Sequence, residues 1–281
     1  MPKILITGAT GFAGKHLIQA LKALKTAAKS RLDIYGTCFP DRPAPSDNNL
    51  SFLDIRSEEE VKSIIRRLKP DWVFHLAAVS NVGYSWKNKT ETLEINIIGT
   101  NNLLEAIRLF SPQARILFVS SSDVYKFDKN KKQVVSEKAP LEIKSPYAYS
   151  KLAAEMLCKF YVEVEGLDVV IARPFPHTGP GQSEQFVCSD WAGQIAGIEA
   201  GKKPPAIKVG NLEVVTDYCD VRDVVKAYIL LLKKGKKGQV YNISSGRPIS
   251  LKDILNILIK EARVKEAIKI KKDPTRLRKL D

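Results

Sequence analysis

Sulfur and imidazole are scarce in this chain of 281 residues, which contains four cysteines, three histidines and two methionines. The cysteines stand at positions 38, 158, 188 and 219 with no Cys-x-x-Cys pair. Neither a disulfide framework nor a zinc site is therefore expected. No stretch approaches the roughly 18 apolar residues that a membrane span requires. The N-terminal apolar run is short and passes directly into a glycine turn, which is not how a signal peptide ends. The expectation is a cytoplasmic protein with reduced thiols. Internal repeats and low-complexity tracts are lacking as well. Acid is the scarcer charge, 31 Asp and Glu against 45 Lys and Arg, a net +14. Such a surplus draws nucleic acid, anionic lipid or anionic small molecules. The lysine-rich pieces around Lys233 to Lys237 and Lys269 to Arg278 are scattered and carry few aromatics. That argues for a solvated basic surface, attractive to a diphosphate-bearing substrate, and against a nucleic-acid module.

The first segment with a chemical reading is Thr7-Gly8-Ala-Thr10-Gly11-Phe12-Ala13-Gly14. Lys3 to Thr7 is apolar and β-leaning, and Phe12 to Ala28 carries Leu17, Ile18, Leu21 and Leu24 at helical spacing. The three glycines thus fall on a strand-to-helix turn. There, missing side chains let the backbone approach a pyrophosphate, and a helix N-terminus offers unpaired N–H groups with a positive dipole end. The spacing is GxxGxxG, not GxGxxG, so the alternative of turn and packing glycines has to be weighed on context.

The context is a long alternation. Strands are predicted at Asp33 to Cys38, Ser51 to Asp54, Trp72 to Ala77, Arg115 to Ser121, Asp168 to Arg173 and Gln239 to Ile243. Helical patterns intervene at Glu58 to Leu68, Leu93 to Phe110 and Val221 to Leu232. That order predicts an α/β fold, a doubly wound parallel sheet with right-handed crossovers. Its ligands bind at the carboxyl ends of the strands, where Gly8, His75, Ser121 and Pro174 fall. Regular alternation fails at Phe175 and after Ser244, so residues 1–174 with 217–244 are read as one domain. Residues 175–216 with 245–281 form a smaller, substrate-facing C-terminal domain in this reading.

Tyr147 and Lys151 lie on the helical pattern Ala148 to Glu165, whose apolar residues recur at Leu152, Met156, Leu157, Phe160 and Val164. Residues four apart share a helix face, which stacks the phenol and the ammonium. Tyr125 and Lys129 have the same spacing, but the Lys126-Phe-Asp-Lys segment has no apolar repeat, so that pair is read as structural. Ser120, Ser121 and Ser122 end a strand and either cap it or present a hydroxyl to Tyr147. His75 reads as a packed strand-end residue. Asp54 either accepts from adenine or caps the following helix. Asn96, on the long helix, is suited to holding a structural water or joining a proton relay.

Together these segments resemble the extended short-chain dehydrogenase/reductases, and within them the GDP-6-deoxy-4-keto-mannose reductases. The broader likeness runs through the glycine turn, Leu53-Asp54-Ile55, His75-Leu76-Ala77-Ala78, the segment Asn96 to Ala106, Tyr147-x-x-x-Lys151 and Arg173-Pro174. The narrower one rests on His177 to Gln182, Gln194 to Glu199, Val209 to Glu213 and Asp220 to Val224. The resemblance implies a Rossmann domain and an NAD(P)-dependent oxidoreductase acting on a nucleotide-diphosphate sugar. Tyr147 would be the general acid, Lys151 its activator and Ser121 the hydroxyl that orients the carbonyl. Gly8, Thr10, Gly11, Phe12, Ala13, Gly14, Arg42, Asp54, Ile55, Leu76, Ala77, Ala78, Asn96, Tyr147, Lys151, Pro174 and His177 would bind the cofactor. Ser122, Asp123, His177, Val187 and Arg222 would face the substrate. A homodimer through Leu93 to Phe110 and the Tyr147 helix is implied too.

Departures from the family pattern bear on cofactor and substrate. An arginine near Phe39 is missing; Arg42 lies close, beside Asp41, and the reading leans to NADP(H) with NAD(H) open. Pro176 stands where relatives carry asparagine and Thr216 where many carry arginine, so two phosphate contacts are replaced. The sequence stops at Asp281, earlier than relatives, which suggests a short substrate domain. Three functions follow as expectations: reduction of GDP-4-keto-6-deoxymannose to GDP-rhamnose, a 4-epimerase or 4,6-dehydratase with tightly bound NAD(P), or a non-catalytic cofactor-binding homologue. Asp123 occupies the position of the dehydratases' catalytic glutamate, and its shorter reach favours reduction.

Overall fold

The computed structural model describes residues 2–27, 32–40, 49–127, 134–264 and 267–276. It divides into two compact units, Met1–Phe175 with Val221–Ile243, and Pro176–Asp220 with Ser244–Asp281.

The first unit opens with strand β1 (Lys3–Thr7), helix α1 (Phe12–Ala27), β2 (Asp33–Cys38), β3 (Leu50–Phe52), α2 (Glu58–Leu68) and β4 (Trp72–His75). It continues through α3 (Val82–Lys87), α4 (Lys89–Leu93), a π-turn at Glu94–Ile98, α5 (Gly99–Phe110), β5 (Arg115–Val119), α6 (Pro146–Glu163) and β6 (Asp168–Pro174). The second unit holds β7 (His177–Thr178), α7 (Val187–Glu199), β8 (Ala206–Val209), β9 (Val215–Asp217) and β10 (Cys219–Asp220). The chain then returns to the first unit as α8 (Val221–Lys234) and β11 (Val240–Ile243), and finishes in the second as β12 (Pro248–Ser250), α9 (Leu251–Glu261) and β13 (Lys269–Lys272).

Seven strands form one sheet in the order β11-β6-β5-β4-β1-β2-β3, and every pairing in it is parallel. This is the doubly wound α/β sheet expected from the alternation. The chain moves outward from β1 to β3, then crosses back to place β4 on β1's other side. The order therefore reverses between β1 and β4, where Thr7 pairs with His75. A doubly wound sheet binds ligands in the crevice at such a reversal.

Local sequence explains the helices that frame this crevice. In α2, Ser57 accepts a hydrogen bond from the Glu60 N–H, three glutamates occupy the first turn and Arg66 and Arg67 the last. Cap and charges both complement the helix dipole. Val61, Ile64 and Ile65 pack with Leu103, Leu104 and Ile107 of α5 in the main core, each fully buried aliphatic side chain contributing roughly 1.5–3 kcal/mol. Helix α6 starts at Pro146, where a missing N–H costs nothing, behind the cap Ser145, whose hydroxyl oxygen accepts from the Ala148 N–H.

The expected helix Leu93 to Phe110 is not continuous. A π-turn interrupts it, and Gly99 follows so close to Ile55 that a Cβ there would stand 2.6 Å from the isoleucine's Cγ2. The cause lies in Asn96, whose side chain is hooked to the backbone of Val79. Strand β4 stops short of the expected Ala77, where Leu76 and Ala77 donate to the carbonyl and hydroxyl of Thr7, and β5 stops short of the expected Ser121, which caps the 3₁₀ turn that follows. Exposed apolar side chains remain on one surface of the unit: Ile98, Met156, Phe160 and Val164.

The second unit is built from paired strand fragments around a core of Trp191, Ile195, Ile198, Ile207, Val209 and Leu255. β7 pairs in parallel with β10, β9 antiparallel with β12, and β8 in parallel with β13. Residues 217–220, given by the sequence reading to the first domain, thus belong to the second unit, because Asp217 pairs with Pro248 and Cys219 with His177. All four residues of β13, Lys-Ile-Lys-Lys, are exposed, and its outer edge has no strand partner among the described residues. Among the described residues no helix is long and apolar enough to cross a membrane.

Candidate active site

The turn between β1 and α1 forms one wall of the crevice. Gly8 adopts φ +70, a conformation disfavoured for side chains, and a Cβ there would lie 2.8 Å from the Ala77 nitrogen. At Gly14 a Cβ would lie 2.7 Å from the Ala9 carbonyl oxygen. Gly11 is exposed at the turn, with Thr10, Phe12 and Ala13 half-buried around it. The first turn of α1 carries no acidic residue. A bare backbone surface at the positive end of a 16-residue helix fits a diphosphate.

The wall at β4 is held by a buried chain of hydrogen bonds. Thr100 donates its hydroxyl proton to the Asn96 carbonyl at 2.6 Å. Its oxygen is left to accept from His75 Nε2 at 3.0 Å, so His75 Nδ1 accepts from the Thr7 hydroxyl at 2.7 Å. Thr7 in turn accepts the Ala77 N–H at 3.2 Å. His75 is therefore the neutral Nε2–H tautomer. Burial first, and then the charge of Lys151, pushes its pKa down to about 3. The imidazole fixes the segment Leu76-Ala77-Ala78, which stays half-buried beside Gly8.

Asn96 is fully engaged. Its oxygen accepts from the Val79 N–H at 2.8 Å, and its amide donates to the Val79 carbonyl at 3.0 Å and the Ser150 hydroxyl at 2.8 Å. Ser150 passes its proton to the Tyr147 carbonyl at 2.8 Å. Asn96 therefore ties the loop at Val79 to α6 through Ser150.

Tyr147, Ser121 and Lys151 converge. Ser121 caps the short 3₁₀ turn Ser122–Val124, accepting from the Asp123 N–H at 3.1 Å, and its side chain stands beside the Tyr147 phenol. Tyr147 is buried; burial and then the Asp123 charge push its pKa well above a tyrosine's ordinary range, while Ser121 opposes them. Lys151, buried one helical turn along, has its ammonium 4.7 Å from the centre of the Phe118 ring. Burial pulls its pKa down to about 8, against the raising influence of Cys158 and Glu155. The Tyr147 N–H is received by Ser85 at 3.2 Å, a contact from α3 that sequence periodicity did not signal.

Other expected site residues take definite places. Asp54 accepts from the Arg56 guanidinium, Nη2 at 2.7 Å and Nε at 2.9 Å, and from its N–H at 3.0 Å; Ser57, not Asp54, supplies the cap of α2. Arg56 also stacks on Phe39, 5.5 Å from the ring centre, so an arginine does reach the end of β2, from a segment that the sequence reading passed over. Ile55 is buried against Gly99. Pro174 ends β6 beside Ile243. Ser122 is buried, Asp123 half-buried and Arg222 exposed in the first turn of α8. Tyr125 is buried with its hydroxyl donating to Asn242 at 2.7 Å, a packing role. Asp41, Arg42 and Lys129 lie outside the described residues.

Within the second unit, His177 is half-buried in β7, and its carbonyl accepts from Gln182 at 3.1 Å. Val187 opens α7 and is half-buried. The Pro176 carbonyl accepts from Cys219 at 2.9 Å, and Thr216 pairs with Ile249. Among the described residues no cluster of His, Cys, Asp and Glu is arranged to hold a metal ion.

Comparison with known proteins joins this geometry to a family. The family model described as GDP-mannose 4,6 dehydratase matches residues 5–279. The chain is 34% identical over 279 residues to the GDP-6-deoxy-D-mannose reductase of Pseudomonas aeruginosa, aligning 99% of itself with 86% of that protein. Among solved structures, RMD from Pseudomonas aeruginosa complexed with NADPH superposes with a TM-score of 0.84 at 34% identity, covering 99% of this chain and 87% of the other. The UDP-glucose 4-epimerase of Thermus thermophilus in complex with NAD superposes with a TM-score of 0.83 at 25% identity, covering 97% and 86%. A match that runs through the β1 turn and the Tyr147 helix and on to residue 279 leads to one conclusion: the chain belongs to the GDP-mannose 4,6-dehydratase family of NAD(P)-dependent extended short-chain dehydrogenase/reductases.

Proposed function

We propose that the protein reduces the 4-keto group of GDP-4-keto-6-deoxy-D-mannose with NADPH, giving GDP-D-rhamnose. The observation that carries this reading is the buried Tyr147 phenol, with the Ser121 side chain beside it and Lys151 one turn away on the same helix. When bound, NADPH supplies the hydride, and the glycine turn of β1 and α1 would hold its diphosphate. Arg56 on Phe39 offers a cation at the end of β2, where the 2′-phosphate of NADP is recognised.

Ser121 orients the substrate carbonyl, and Tyr147 gives its proton to the oxygen as charge develops there. Asp123 favours this direction, because a carboxylate beside the phenol keeps it protonated until the carbonyl demands the proton. Bringing an ordinary phenol to neutrality costs about 4 kcal/mol. The Lys151 ammonium supplies part of it by stabilising the phenolate as the proton leaves. Ser122, His177, Val187 and Arg222 are the residues assigned to the sugar nucleotide. Arg222 is the cation that would offset the exchanges at Pro176 and Thr216.

The exposed Ile98, Met156, Phe160 and Val164 support a homodimer through the α5 and α6 surface. The four cysteines are buried thiols, as suits a protein of the reducing cytoplasm.

The test is NADPH consumption with freshly generated GDP-4-keto-6-deoxy-D-mannose, with product mass and sugar stereochemistry determined and Tyr147→Phe as control. Turnover that vanishes in the variant supports the reading. Absence of turnover, with NADPH still bound, overturns it. Dinucleotide retained through purification and never released would mark the epimerase or dehydratase cycle instead.

A further inference from the structure

Glu155 lies one turn beyond Lys151 and two beyond Tyr147 on α6, and it is wholly buried. A carboxylate so placed has to be matched group for group. It accepts from the Ser120 hydroxyl at 3.0 Å, from Arg173 Nε at 2.9 Å and from Arg173 Nη2 at 2.5 Å. Lys159 approaches from the half-exposed side at 3.3 Å.

Arg173, only 2% exposed, sits at the end of β6. Its Nη1 donates to the Glu137 carbonyl at 3.2 Å, and its guanidinium lies 4.8 Å from the centre of the Tyr125 ring. The Ser120 N–H also donates to the Ala172 carbonyl at 2.8 Å. One carboxylate therefore ties the helix bearing Tyr147 and Lys151 to the ends of the two strands beside it. Ser120 is the immediate neighbour of Ser121.

Among the described residues no carboxylate forms an ion pair with Lys151. The titratable and charged groups that act on the ammonium are His75 from β4 and Cys158 and Glu155 from its own helix. Of these, Glu155 is itself paired with Arg173, yet its charge still favours the Lys151 ammonium.

We propose that Glu155 is the positioning residue of this active site: through Ser120 and Arg173 it sets the register of the β5 end against α6, so that the Ser121 side chain is held beside the Tyr147 phenol. The inference rests on the reductase reading for its kinetic expectation only.

The test compares wild type, Ser120→Ala, Glu155→Gln and Glu155→Gln with Arg173→Gln. Lysine side-chain NMR, with the Lys151 signal assigned by Lys151→Met, gives the Lys151 titration without any substrate. Ser120→Ala deletes one bond and leaves the ion pair, so the fold is retained. The expected result is a 3- to 10-fold fall in kcat, with KM and NADPH affinity within about 2-fold. Glu155→Gln leaves Arg173 unpaired, and its Lys151 titration moves to lower pH. The double variant removes the unpaired guanidinium as well, without restoring the Lys151 titration or kcat. The proposal is overturned by a Ser120→Ala kcat within 2-fold of wild type, or by a Lys151 titration indifferent to Glu155→Gln. Should wild type fail to turn over the keto sugar, the substrate reading fails while the titration still decides on the pair.

Discussion

Thr7 and His75 face each other at the same register across β1 and β4, with the histidine's Nδ1 accepting the threonine's hydroxyl proton at 2.7 Å. The bond joins the strand that leads into the glycine turn to the strand that leads into Leu76-Ala77. It exists only while the imidazole is neutral.

This makes the fold acid-sensitive in a defined window. The folded-state pKa of His75, about 3, lies below the ordinary 6.5, so the unfolded chain binds the extra proton first. Stability from the neutral ring is complete above pH 6.5 and falls as pH drops from there toward 3. The slope is about 1.4 kcal/mol per pH unit. Urea unfolding at pH 7, 6, 5 and 4 should show this decline, and His75→Gln should flatten it.

Tyr147→Phe removes the transferable proton and little packing. Turnover should drop by roughly 100-fold or more while NADPH affinity is held, as fluorescence titration of the dinucleotide would report. Unchanged turnover would remove Tyr147 from the chemistry.

Lys151 supports the phenolate only as an ammonium, and its pKa of about 8 places the loss of that charge within reach of ordinary assays. The kcat should decline above pH 8. Lys151→Arg, which cannot deprotonate, should move that limb upward at the cost of a lower maximum.

Gly8→Ala sets a side chain against Ala77 in a backbone conformation that resists one. About 1–3 kcal/mol of stability should be lost. NADPH affinity should fall at least tenfold, as isothermal calorimetry would measure.

Phe160→Glu puts a charge among the exposed Ile98, Met156 and Val164. Light scattering should show a dimer for wild type and a monomer for the variant, with the α6 site otherwise unchanged. A wild-type monomer at working concentration would sink the dimer.

What the sequence made legible was local. Lys3 to Gly14 declares a strand, a turn and a helix within twelve consecutive letters, and Tyr147 and Lys151 declare one helix face. The buried polar partners were not legible, because each depends on segments far apart. Glu155 reads as one more acid on a helix until β6 brings Arg173 against it from 18 positions away. Thr100 reads as a helix-interior threonine until β4 delivers His75. The π-turn has no signal of its own, being imposed by the hold of Asn96 on Val79. In the second unit, strands of two to four residues, β7 to β10 among them, are too short for any alternation to register.

The outer edge of β13 has no strand partner among the described residues, and Lys269, Lys271 and Lys272 stand along the strand. At low ionic strength two copies approaching edge to edge meet mutual repulsion. Near 1 M salt, where charges are felt over only about 3 Å, that repulsion disappears. Buffers chosen to quiet a +14 protein would thus disarm the guard on that strand edge, so handling conditions and colloidal behaviour are tied to four residues of the second unit.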